Sequence, residues 1–289
     1  MARTSQSGRA MPIVILSVVT AMFLIVGGDA AGKVLGGMGF APFFVAWARF
    51  ALAVIVLAPL SGMQRHEWRL MLDWRLILRA ALIAGGIACI LTALKTEPMA
   101  NAFAGFFIGP VVAFVLSALI LKERVTVLRA GLLAVSFAGV LIVVRPGFGV
   151  SVGMGFAVLA GCLHGGYLVT TRWLAPGFRP RFLLLSQLAI GTVLLAPFAV
   201  GGAGAFSAVA MGLLTISALG SAIGNLLLVQ VNRTTPAGVI APLIYSQLIA
   251  AMVLGLLVFG DWPDRWTLVG LVVIIAAGVG SALAAGRGR

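Results

Sequence analysis

GIACILTALKTEP at residues 86–98 and GNLLLVQVNRTTP at residues 224–236 are one segment in two copies. Gly86 answers to Gly224, Lys95 to Arg233, Thr96 to Thr234 and Pro98 to Pro236, all at an offset of 138. The match spreads both ways. Gly28 falls on Gly166, Pro59 on Pro197 and Glu123 on Asp261. One extra residue near Pro263 moves the offset to 139, which sets Gly131 against Gly270 and Gly139 against Gly278. The chain therefore reads as two five-helix units, residues 1–145 and 146–289, stacked by duplication.

Composition decides where such units live. Of 289 residues, 62% are hydrophobic and only 9% are charged. A soluble domain carries roughly 25% charged residues, so too few charges are present to clothe a water-facing surface. A membrane-crossing helix takes about 20 apolar residues. Ten stretches qualify: 11–32, 40–60, 76–94, 99–121, 128–145, 151–173, 182–200, 207–229, 237–259 and 266–285. None alternates polar and apolar residues as a membrane barrel strand does. The first stretch has no small-x-small cleavage site after it, so it reads as a span and not a leader. The expected fold is all-α and integral to the membrane, with ten transmembrane helices in two five-helix repeats.

Five spans per copy is an odd number, so the second copy enters from the opposite face and the repeats are inverted. The basic residues test this separately. With the N-terminus inside, only Lys33, Lys95, Arg145 and Arg265 fall outside and Arg49 lies within a span. The other 15 of the 20 Lys and Arg residues face the cytoplasm, the bias that orients membrane proteins. Both termini are expected in the cytoplasm, and the cell inner membrane is the expected location. The net charge of +13 serves orientation and anionic headgroups. It is scattered over short loops and forms no contiguous basic face for nucleic acid.

Other signals argue against catalysis and cofactors. Gly27 to Val34, GGDAAGKV, has most of a phosphate-binding loop but lacks its final Ser or Thr and ends a membrane helix. No ATP site is expected from it, and its glycines suit close helix packing. No nucleophile stands beside a base, and no metal-ligand cluster is visible, so neither an enzyme nor a metal site is expected. Cys89 and Cys162, both in apolar spans, read as small buried residues.

The chain is similar to the EamA branch of the drug/metabolite transporter superfamily over nearly its whole length. The features are the two five-span repeats, the acidic turns Leu121-Lys122-Glu123-Arg124 and Phe259-Gly260-Asp261-Trp262, and a Gly-rich closing span in each half. Trp47-Ala48-Arg49-Phe50 and Lys33 also fit; Asp261 stands where Glu is commoner. Three segments resemble the family's bacterial riboflavin importers most: Gly28 to Lys33, Thr96 to Asn101 with Phe106 to Pro110, and Arg181 to Gln187. The resemblance implies transport of a small molecule by alternating access, with riboflavin uptake first and export of amino acids or related metabolites as the alternative. Monomer and homodimer both remain open.

Inverted-repeat carriers hold substrate near the midplane, between repeats, and polar groups there are costly and functional by default. His164, Tyr167 and Thr171 share one helix face, as do Ser217, Ser221 and Asn225. Tyr245 and Ser246 follow Pro242 by three and four residues, and Asn101 heads the fourth span. The expected substrate residues are Asn101, Phe106, Phe107, His164, Tyr167, Asn225, Tyr245 and Gln247. The aromatic members would pack on a flat ring; Asn225, Gln247 and His164 would bond its polar edge. Arg49 lies too deep to stand alone, and Asp29 is its expected partner, as a structural pair, an outer gate or a proton-coupling group. Lys33 is expected to snorkel to the interface. Pro98 and Pro236 read as helix-start residues or hinges.

Overall fold

The computed structural model describes residues 4–59, 62–64, 67–122, 127–145, 151–235, 240 and 243–287. Glu123, Arg124, Pro236, Pro242 and residues 237–239 at the start of the ninth expected span lie outside the described residues. All regular structure among the described residues is helical. The elements are α1 (Thr4–Gly37), α2 (Pro42–Leu57), α3 (Glu67–Leu70), α4 (Trp74–Leu94), α5 (Met99–Phe106), α6 (Gly109–Ile120), α7 (Val127–Val144), α8 (Val152–Leu174), α9 (Pro180–Ala199), α10 (Ala208–Thr234), α11 (Ser246–Phe259) and α12 (Arg265–Arg287). Six stretches are long and apolar enough to cross a membrane, with α5 and α6 counted together; α2, α7, α11 and α12 supply four shorter apolar stretches.

Local chemistry sets the boundaries. Pro42 and Pro180 open α2 and α9, where a missing N–H costs nothing. Side chains cap other starts: Asp73 accepts from Arg75 N at 2.9 Å, Ser151 from Met154 N at 2.9 Å and Ser207 from Ala210 N at 3.1 Å. Gly260, at φ +69°, ends α11 in the left-handed conformation that glycine adopts without strain.

The fourth expected span, 99–121, is not one helix. It breaks at Phe107 and Ile108 into α5 and α6. Pro110 is the cause: its ring excludes the carbonyl four residues back, that of Phe106, and it has no N–H to donate there. The chain tightens instead, with Phe107 N bonding Ala104 O at 3.2 Å and Ile108 N bonding Gly105 O at 3.3 Å. Gly161 of α8 lies against this break, and a Cβ there would collide with the Phe106 carbonyl oxygen.

Helices of the first half pack mainly on helices of the second. α1 lies on α10 and α4 on α8; α2 lies on α9 and α7 on α12. α4 also touches α9, as α10 touches α2; α6 touches α8, as α11 touches α1. The main core runs from Val26 and Phe50 through Phe103 to Leu248 and Ile274.

Candidate functional site

Five helices, α2, α4, α8, α9 and α10, surround a cleft at the junction of the halves. It holds about 560 Å³ of free space, its open mouth included. Its apolar wall comes from Phe50, Ile83, Ile87, Leu184 and Leu188. Its polar groups are Arg49, His164, Tyr167, Gln187, Ser221 and Asn225. Apolar walls with a few converging polar groups are the usual make-up of a small-molecule site.

Arg49 borders the cleft from α2 and is 4% exposed. Nη1 donates to Asp29 Oδ1 of α1 at 2.5 Å, and Nη2 donates to Ser221 Oγ of α10 at 2.7 Å. Its Nε is buried without an acceptor among the described residues. Ser217, one turn before Ser221, donates to the Gly28 carbonyl at 2.8 Å and fixes α10 beside Asp29. Asn225 is held by its own helix, donating Nδ2 to Ser221 O at 2.8 Å.

The opposite wall carries a second cluster. Tyr167 donates its hydroxyl to Gln187 Oε1 at 2.9 Å. Arg79 of α4 reaches behind it, donating to the Tyr167 hydroxyl at 3.2 Å, Thr171 Oγ1 at 2.8 Å and the Leu183 carbonyl at 2.8 Å. Its guanidinium also lies 4.9 Å from the Tyr167 ring centre, within cation–π range. The two clusters are equivalent by sequence. At the offset of 138, Asp29 answers to Tyr167 and Arg49 to Gln187. One copy holds an ion pair where the other holds a neutral hydrogen bond.

The expected residues divide into two groups. His164, Tyr167, Asn225 and Arg49 line the cleft. Phe107 and Tyr245 lie outside it: both are buried, and their rings pack on each other at 5.2 Å. Gly278 of α12 backs the Tyr245 ring so closely that a Cβ would collide with it. Asn101 also lies away from the cleft, its Oδ1 accepting from Thr267 Oγ1 of α12 at 2.8 Å. Gln247 follows Tyr245 on α11, half-buried. Phe106 joins the groups, 6.3 Å from Phe107 and 5.0 Å from His164, which is 5.7 Å from Tyr167. A row of rings thus runs from Tyr245 to the cleft wall.

Gln187, Arg79 and Ser221 are polar members of the centre beyond the expected set. The offset pointed to Gln187, since it stands where Arg49 stands in the first copy. Lys33 differs from expectation. It turns inward, donating to the Glu97 carbonyl at 2.9 Å and to Asp261 Oδ2 at 3.0 Å, because loops of both halves offer it acceptors.

The model of the EamA-like transporter family matches residues 12–145 and again residues 151–282. A solved protein, titled only "Crystal structure of protein", shares the fold at a TM-score of 0.64 and 13% identity. The alignment covers 97% of this chain and 99% of that one. No curated protein matches the sequence.

Proposed function

The chain belongs to the EamA-like transporter family, and from that premise we propose that it carries a small organic metabolite across the cell inner membrane by alternating access through the central cleft. Ten spans in two inverted five-helix repeats, with both termini cytoplasmic, form the frame. The packing supports this arrangement. Exchanging the copies turns the α1–α10 contact into α4–α8, the α4–α9 contact into α2–α10 and the α6–α8 contact into α1–α11. Phe107 and Tyr245 are equivalents at the offset of 138 and touch each other, as side chains on a two-fold axis do.

The observation that carries the transport reading is the cleft itself: an apolar space with an open mouth, ringed by polar groups from both copies, at the junction of the repeats. The Asp29–Arg49 pair on one wall and the Arg79–Tyr167–Gln187 cluster on the other serve as thin gates. Each ties two helices of one copy to a helix of the other.

Two substrates have a specific observation behind them. Riboflavin uptake draws on the ring row ending at His164 and Tyr167, with Asn225 and Gln187 at hand for a polar ring edge. Export of amino acids or related metabolites draws on Arg49 at the cleft wall. Uptake of labelled riboflavin into proteoliposomes, and counterflow of carboxylate metabolites from them, separates the two. Saturable movement of one solute that Asn225→Ala reduces about tenfold is expected. Equal leak of all solutes through wild type and variant would overturn transport by this cleft.

A further inference from the structure

Three ionisable groups stand at the polar centre, two guanidiniums and one carboxyl: Arg49, Arg79 and Asp29. Asp29 and Arg49 pair with each other. Arg79 is 3% exposed, and the hydrogen-bond partners it has in the structure, Thr171, Tyr167 and the Leu183 carbonyl, are all neutral. The centre therefore holds one more basic group than acidic. An uncompensated charge inside a membrane protein is expensive and calls for a counterion.

The cleft is the space beside these groups: Arg49 lines it, as does Tyr167, the hydrogen-bond partner of Arg79. The Arg49 Nε is buried without an acceptor among the described residues. Ser221 and Asn225 stand beside it on α10. Among the described residues no acidic side chain lines the cleft; Asp29 bonds Arg49 from outside the lining.

We infer that the cleft is a monoanion site, selective for a carboxylate-bearing solute without an ammonium group, and that Arg49 determines that selectivity. The carboxylate bonds the guanidinium from the cleft side and competes with Asp29 for it. One added carboxyl gives each guanidinium of the centre a carboxyl of its own; a doubly charged phosphate would exceed that match. A guanidinium matches a carboxylate in shape as well as charge. An ammonium group would find no carboxylate in the lining and would stand beside the Arg49 guanidinium, so a simple organic acid outranks an amino acid. The apolar wall of Ile83, Ile87, Leu184 and Leu188 receives the rest of the molecule. The inference rests on the transport reading of the same cleft and names its substrate class.

The test is ligand-induced thermal stabilisation of the full chain in detergent. The probes are hexanoate, phenylacetate and benzoate, each beside its amide, with phenylalanine as the ammonium-bearing control. Each acid should bind at least about tenfold more tightly than its amide, the ratio that about 1.4 kcal/mol produces. Asp29→Asn, which removes the internal competitor, should tighten acid binding about three- to tenfold. Arg49→Gln should erase the preference for acid over amide. A merely structural pair predicts no tightening in Asp29→Asn. Acids binding no better than amides, or Asp29→Asn failing to tighten them, would overturn the inference. If either variant does not fold, the comparison of each acid with its amide on the wild-type chain still decides. Proteoliposomes keep the two readings apart. Acid binding without passage would overturn transport and leave the site; saturable passage of riboflavin with no acid preference would do the reverse.

Discussion

At the scale of single residues, Asp29 and Arg49 have the largest consequence. Removing one member of a buried pair strands the other, at a cost of about 3–5 kcal/mol. Arg49→Ala should therefore lower thermal stability sharply, whereas Asp29→Leu/Arg49→Leu should recover most of it, because apolar replacements of both members are often neutral. Transport should be absent from both variants. Unfolding curves and uptake on the same preparations check this; equal instability of single and double variants would mean that the pair is not the cause. The pair was legible in the sequence because two opposite charges at membrane depth have few other ways to be satisfied. Arg79 was not. It stands in the second turn of α4 and counted among the cytoplasmic charges. Its inward turn depends on α8 and α9 presenting Tyr167, Thr171 and the Leu183 carbonyl, which no local pattern encodes.

At the scale of elements, the break between α5 and α6 fixes how α8 crosses the bundle. Gly161 packs on the Phe106 carbonyl, while Gly155, on the same helix, has nothing within 4 Å of where its Cβ would be. Gly161→Ala should push the helices apart and cost about 1–3 kcal/mol. Gly155→Ala should be neutral or stabilise by up to about 1 kcal/mol, since alanine suits a helix interior better than glycine. Thermal unfolding of the two single variants gives the comparison; equal midpoints would remove the packing argument. The spans themselves were readable from apolar length. The interruption inside the fourth was not read, although Pro110 marked it, because membrane helices often carry proline unbroken. Phe107 and Tyr245 missed the cleft for a related reason: helix-face spacing says which side chains align, not which helix they meet.

At the scale of the whole molecule, the halves are tied at both ends. Lys33 meets Asp261 at 3.0 Å and Arg145 meets Asp264 at 2.5 Å at the end expected to face outward. Glu97 bonds Ser151 there too. Glu67 meets Arg179 at 2.6 Å at the other end. Each tie joins one copy to the other, so the alternating access proposed above has to release one end at a time. Part-exposed pairs are worth up to about 1 kcal/mol, which converts to a shift of about fivefold between two states. Asp261→Asn should thus speed labelling of an Ala218→Cys reporter from the outer face by about two- to fivefold, in a chain without Cys89 and Cys162. Unchanged or slower labelling would separate this tie from opening. The duplication was plain in the sequence, but an offset does not say which helices of the two copies touch. That had to come from the packing.

Phe107 and Tyr245 hold equivalent places in the two copies and pack ring to ring. In a dimer of separate five-helix chains, that contact would be a side chain facing its own twin. Any mutation there would strike twice, and an unequal pair would be out of reach. Joining the copies in one chain lifts that restriction. A hydroxyl sits on one ring and not on the other, and likewise an ion pair occupies one wall of the cleft where its twin position holds a neutral bond. Fusion is what permits a symmetric scaffold to distinguish its two sides, and with them the two directions in which a solute can cross.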